Sequence, residues 1–128
     1  MDKFNVNLDD LPVYEATTPH QRKMKVVFND PNNNLPFSVG QFILKPGQKG
    51  PPHQHETEIE IYIVLQGEGR ITFENKKVYD LKPNHMLYVP PRTLHETVNT
   101  GKEDLIFYGI FVPPIDLNSM TATWKKVS

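Results

Sequence analysis

Two histidines, His53 and His55, stand either side of one glutamine; Glu60 follows five positions later, and His95 lies five residues beyond Pro90. Imidazole and carboxylate are ligands for a borderline divalent ion such as iron, manganese, nickel, copper or zinc. Three of the four side chains fall within eight residues, in a stretch that reads as strand. Extended backbone sends alternate side chains to one face, so His53 and His55 share a side. An inward Glu60 carries Tyr62 and Val64 inward with it, and a neighbouring strand can supply the third imidazole. An ion held this way can polarise a carbonyl, lower the pKa of a water or organise an oxidation.

Such side chains need strands to hold them, and the punctuation of the chain supplies strands. Twelve prolines and seven glycines interrupt 128 residues, and no apolar 3.6-residue pattern persists for three turns. β-Branched and aromatic runs predict strands at Met24–Phe28, Phe37–Lys45, Glu58–Leu65, Arg70–Glu74, Val78–Leu81, Met86–Val89, His95–Asn99, Leu105–Val112 and Thr121–Val127. Asp30 to Asn34 reads as a polar turn, and Arg70–Glu74 as the hairpin partner of Glu58–Leu65. So many short strands in one small domain point to an all-β sandwich or barrel. In Glu58–Leu65, Ile61, Ile63 and Leu65 face away from Glu60 and are as apolar as the inward residues. A strand apolar on both faces is covered on both. The cover is the N-terminal segment or a partner subunit, and a symmetric homodimer is the favoured expectation.

Composition narrows the function classes. Apolar residues make up 38%, charged residues 23%, and the formal net charge is −1. That gives no overall pull on nucleic acid or on an anionic membrane. No run approaches the roughly 20 apolar residues of a membrane span. The N-terminus lacks the apolar stretch of a secretory signal, so a cytoplasmic address is expected. There is no cysteine, which excludes disulfides, thiolate metal sites and thiol catalysis.

The spacing resembles the cupin family. Its first motif reads Gly, five residues, His-x-His, three or four residues, Glu, six residues, Gly. Here Gly47, His53, His55, Glu60 and Gly67 stand at those intervals. The second motif reads Gly, five residues, Pro-x-Gly, two residues, His, three residues, Asn. Here it is Asn84, Pro90-Pro91-Arg92, His95 and Asn99. Asn84 replaces the first glycine, a mild change because asparagine tolerates the left-handed conformation. Arg92 at the inner glycine is a larger departure. It implies a differently built turn or a charged side chain at the barrel mouth.

The resemblance implies a double-stranded β-helix, a jelly-roll barrel, over residues 24–128, behind a lead-in of residues 1–23 with a possible edge strand. It also implies one divalent transition metal ion inside, held by His53, His55, Glu60 and His95. Tyr62 and Arg92 are the candidate catalytic residues, Tyr62 orienting substrate and Arg92 clamping an anion; core packing and a plain loop role are their alternatives. Gln41 is a possible lining residue. His20 and His85 read as solvent-facing, and Glu56, Glu58 and Glu96 as solvated faces. Members of the family act as dioxygenases, decarboxylases, isomerases, lyases and binding proteins. The expected function is a metal-dependent enzyme on a small oxygenated organic molecule. The alternative is a non-catalytic small-molecule or sugar binding module.

Overall fold

Buried and exposed positions alternate along the long strands of the computed structural model, which describes residues 4–30 and 34–128. A 3-10 turn at Leu8–Asp10 is followed by β1 (Tyr14–Glu15), β2 (Lys23–Phe28), β3 (Ser38–Leu44), β4 (Ile59–Gln66) and β5 (Gly69–Phe73). Then come β6 (Val78–Leu81), β7 (Met86–Val89), β8 (His95–Asn99), β9 (Leu105–Val112), the short helix α1 (Leu117–Thr121) and β10 (Lys125–Lys126). One sheet has the order β10-β1-β2-β3-β9-β4-β7 and the other β6-β5-β8. Their inner faces share one core, with Phe42, Leu44, Phe107 and Phe111 from the larger sheet and Ile71 and Leu81 from the smaller. This is an all-β double-stranded β-helix of the jelly-roll kind. Among the described residues, no helix is long and apolar enough to cross a membrane.

Period-two alternation sets which side chains reach the interior. In β4, Glu60, Tyr62 and Val64 are buried, whereas Leu65 is 54% exposed. In β9, Leu105, Phe107 and Phe111 point in, and Ile106, Tyr108 and Ile110 form the outer row.

Three expectations need correction. The segment after β4 does not form a hairpin with it: β5 pairs with β6 and β8, and β4 with β7 and β9. Gly67, at φ 83°, turns the chain from one sheet to the other where a Cβ would collide with the Asp104 carbonyl. The expected strand at Thr121–Val127 shrinks to Lys125–Lys126, because α1 takes the preceding turn. Asp116 caps α1, its carboxylate accepting from the amides of Asn118 and Ser119. The lead-in strand is not an edge, since β1 lies between β2 and β10. The expected polar turn falls partly on residues 31–33, which lie outside the described residues.

Candidate metal centre

Backbone pairing brings the two histidine motifs together. The His95 amide donates to the His53 carbonyl at 2.9 Å, and the His53 amide to the His95 carbonyl at 3.0 Å. Gly50 donates to Thr97 at 3.0 Å, so the segment before His53 lies extended against β8. Glu60 enters from β4, opposite Val89 of β7 and Phe111 of β9. Gly109 makes room for it, because a Cβ there would sit 2.7 Å from Glu60 Oε2 and 2.9 Å from the Phe42 ring.

One donor atom from each of His53, His55, Glu60 and His95 lies within 4.8 Å of the others. Glu60 Oε1 is 3.4 Å from His55 Nε2 and 3.5 Å from His95 Nε2. All three atoms are buried, and none has a hydrogen-bond partner. Unpaired buried polar atoms are costly, and their convergence on one point fits a cation. The far ring nitrogens support that fit. His53 Nδ1 faces the Pro51 carbonyl at 2.8 Å, and His95 Nδ1 faces the Thr93 carbonyl at 2.9 Å. A nitrogen facing a carbonyl must donate, so each neutral ring keeps its Nε2 lone pair free. The donor set is compatible with iron, manganese, nickel, copper or zinc and does not choose among them.

The charges follow from burial and contact. Burial opposes ionisation of Glu60, but the imidazoles of His55 and His95 outweigh it and hold the carboxyl below its ordinary range. For His95, burial favours the neutral ring, yet the Glu60 contact and the Thr93 carbonyl prevail and raise its pKa. His53 is lowered, chiefly by burial and only partly offset by Pro51. Glu60 and His95 therefore each favour the other's charged form.

A cavity of about 50 Å³ borders the cluster. Its wall is mainly apolar, with Phe42, Phe107 and Phe111 prominent. Tyr62 lines it too, 2% exposed, stacked on Phe107 at 4.6 Å, with its hydroxyl 2.9 Å from Thr97 Oγ1. Burial and then the Glu60 charge push the Tyr62 phenol well above its ordinary pKa.

The other candidates lie elsewhere. Arg92 is exposed and does not line the cavity. Its amide donates to the His55 carbonyl at 2.6 Å. With φ at 55°, Arg92 takes the left-handed conformation of the glycine it replaces, as Asn84 does at 71°. The turn keeps its shape, at a cost in backbone strain. Gln41 faces the outer side, its amide 3.5 Å from the Tyr108 hydroxyl. His85 is exposed, whereas His20 is half-buried with Nδ1 unpartnered, because the lead-in folds back on the barrel. Glu56 is exposed, Glu58 and Glu96 are half-buried, and none of the three lines the cavity. Asn99 is structural: its amide bridges the Leu44 and Glu103 carbonyls, both at 2.8 Å.

Sequence reasoning missed Arg22 and Gly109. Arg22 lines the cavity and stacks on Trp124, 4.8 Å from the ring centroid. Extending the β2 alternation backwards from buried Met24 would have placed Arg22 inward. Nothing local marks Gly109, because its role depends on Glu60 two strand positions across.

The family model described as "Cupin domain" matches residues 40–112. An uncharacterized protein of Methanocaldococcus jannaschii is 35% identical over 77 residues, 60% of this chain and 61% of that protein. A glucose-6-phosphate isomerase of Pyrococcus horikoshii is 32% identical over 111 residues, 83% of this chain and 58% of that protein. The chain thus spans about three-fifths of the length of these relatives. The crystal structure of a predicted oxalate decarboxylase from Thermotoga maritima superposes with a TM-score of 0.77 at 23% identity. That match covers 85% of this chain and 98% of the other, and it speaks to the fold alone.

Proposed function

We propose that this chain, which belongs to the cupin family, is a metal-dependent enzyme acting on a small oxygenated organic molecule such as a keto acid, enol, hydroxy acid or sugar acid. One observation carries the reading: buried donor atoms of His55, Glu60 and His95 converge without hydrogen-bond partners beside a cavity. A divalent transition ion bound there supplies Lewis-acid chemistry, polarising a carbonyl or stabilising an enolate. The protein's own part is positional. The Pro51 and Thr93 carbonyls orient two of the rings, and Glu60 contributes the negative charge. Phe42, Phe107 and Phe111 keep bulk water off the apolar wall. Tyr62 stays protonated and presents a hydroxyl shared with Thr97. The relative named glucose-6-phosphate isomerase supports isomerisation as one version; oxygen insertion and elimination are the others.

The test is to strip the purified protein, reload it with iron, manganese, nickel, copper or zinc in turn, and assay small acids and sugars. We expect one ion per chain and metal-dependent turnover lost in His95→Ala, with oxygen uptake separating oxygenase from isomerase or lyase chemistry. No stoichiometric ion, or an ion retained at full affinity by His95→Ala, overturns the reading.

A second reading, a binding module that turns nothing over, has one observation in its favour. Outside the four clustered side chains, none of the cavity-lining residues is a carboxylate or histidine able to take a proton near neutral pH. Bound ligand recovered unchanged from metal-replete protein would select it.

We also propose that a second copy of the chain covers the outer face of β4, β7 and β9. Ile61, Ile63 and Ile110 are half-buried there, while Met86 and Tyr88 are 68% and 56% exposed. The outward positions of these three strands include no charged residue, so the face suits an uncharged counterpart. Its own copy offers one by two-fold symmetry. The lead-in is engaged elsewhere, at the β2 end of the sheet, where Lys25 Nζ donates to the Leu8 carbonyl at 2.9 Å. Light scattering should give twice the chain mass; a monomer at micromolar concentration would refute the dimer.

A further inference from the structure

Arg22 is a cation without an anion. It is half-buried, and among the described residues no carboxylate lies within ion-pair distance of it. Among the described residues, its one side-chain hydrogen bond runs from Nη1 to the His20 carbonyl, at 2.8 Å. Its guanidinium carbon lies over the ring of Trp124, 4.8 Å from the centroid, a cation–π contact that restrains the position of the group. Guanidinium has five N–H donors in a planar fork. The backbone bond uses one, and Arg22 lines a cavity whose wall is otherwise apolar, apart from the metal cluster and the Tyr62–Thr97 pair. Burial lowers the Arg22 pKa, a sign that the unpaired charge is poorly solvated. A residue needed only to pack on Trp124 would not have to be charged. A partly desolvated guanidinium at a cavity wall, held by a backbone carbonyl and an aromatic ring, suits two-pronged binding of a carboxylate.

Resting on the metal-site reading above, we propose that Arg22 is the anion-recognising residue of this cavity and that the substrate is a small organic carboxylate. One end of the ligand meets the guanidinium, and its remaining oxygens reach the His53–His55–Glu60–His95 cluster. Size supports a small acid. The cavity is about 50 Å³, three to five water-sized positions at roughly 10–15 Å³ each. A phosphate group would meet the same fork, so the test must separate the two anions.

Trp124 is the single tryptophan of the chain, and it stacks on Arg22, so its fluorescence reports directly on the guanidinium, with or without metal. Full-length protein, metal-free and cobalt-loaded, is titrated with acetate, oxalate and pyruvate, with neutral pyruvamide, and with inorganic phosphate. At least one carboxylate should give a saturable change, with pyruvamide and phosphate at least tenfold weaker. Arg22→Met should weaken carboxylate binding at least tenfold, and Arg22→Lys should restore part of it. Both variants should bind cobalt as tightly as the wild type, as read from its visible spectrum. If Arg22→Met fails to fold, the pyruvate–pyruvamide contrast and Arg22→Lys carry the test. Equal carboxylate binding in wild type and variants overturns the inference while leaving the metal reading intact. Tighter binding of phosphate than of every carboxylate overturns the substrate class. Failure of cobalt to bind, with Arg22-dependent fluorescence preserved, rejects the metal reading alone.

Discussion

The inner and outer walls of the larger sheet are built from residues of nearly equal hydrophobicity, yet they do opposite things. Along β4, Tyr62 and Val64 point in, and Ile61 and Ile63 point out. The inner row is closed over by the second sheet and tolerates a buried carboxylate, because Glu60 faces histidines. Among the described residues, the outer row of β4, β7 and β9 has no second sheet over it, and it carries no charge. Two arginines repeat the contrast. Arg22 lines the cavity with unused donors, and Arg92, at a motif position, is exposed. Interior position, more than residue type or motif membership, decides which groups can do chemistry here.

The strongest way to break this contrast is to remove an inner ligand. His95→Ala should lower metal affinity by more than the roughly 100-fold that loss of a supporting hydrogen bond costs at such sites. Competition with a chromophoric chelator measures it, and wild-type affinity in the variant would show that the inner cluster is not the binding site. The outer counterpart is Ile63→Lys. A charge placed in an apolar interface should weaken self-association by about 100-fold or more, while metal affinity stays within about twofold. Sedimentation and chelator competition, run together, separate the walls; loss of metal affinity in Ile63→Lys would show them coupled.

Gly109 asks how tightly the inner wall is drawn. In Gly109→Ala the new methyl must displace Glu60 Oε2 or the Phe42 ring. Overpacking of this sort costs about 1–3 kcal/mol, read as a lower denaturation midpoint of the metal-free protein. The displaced carboxylate should also weaken metal binding. On the outer wall, Ile110→Val should cost less than half as much. Equal costs would erase the distinction.

Much of this was legible from spacing and period alone. Period two placed Glu60, Tyr62 and Val64 on one side, and the two histidine motifs named the cluster that the fold brings within 4.8 Å. What escaped depends on contacts distant in the chain. α1 is too short, at five residues, to show helical periodicity, and the Thr and Val residues around it favour a strand reading. The partners of β5 depend on the chain crossing between sheets at Gly67, which local pattern cannot distinguish from a hairpin. Arg22 sits just ahead of β2, outside the run whose alternation marks the strand. Arg92 stands out as a motif departure, but its meaning lies in its backbone angle, and its side chain does not line the cavity.

Acidification tests the inner charges. Metal must displace the proton from His95, whose pKa lies above the ordinary 6.5 of histidine. Glu60 is held low and His53 is lowered, so neither competes until the pH is more acidic. Affinity should therefore be flat above the His95 pKa and fall at least about tenfold per pH unit below it, as one or more protons are taken up for each ion lost. A decline beginning only below pH 6 would mean that Glu60 and Thr93 do not hold the His95 proton in this way.

The smallest expected effect is on the outer turn. Arg92 has φ at 55°, a conformation costing a side-chain-bearing residue roughly 1–2 kcal/mol. Arg92→Gly removes that strain but frees the unfolded chain, a loss of about 0.4–1 kcal/mol. The balance runs from about zero to a gain of about 1.6 kcal/mol, each kcal/mol worth roughly 3–5 °C in melting temperature for a domain of this size. Metal and carboxylate affinities should not move, because the side chain lies outside the cavity and the backbone amide that donates to His55 is retained. A variant that melts lower, or that binds pyruvate more weakly as Arg22→Met is expected to do, would bring Arg92 back inside the functional wall.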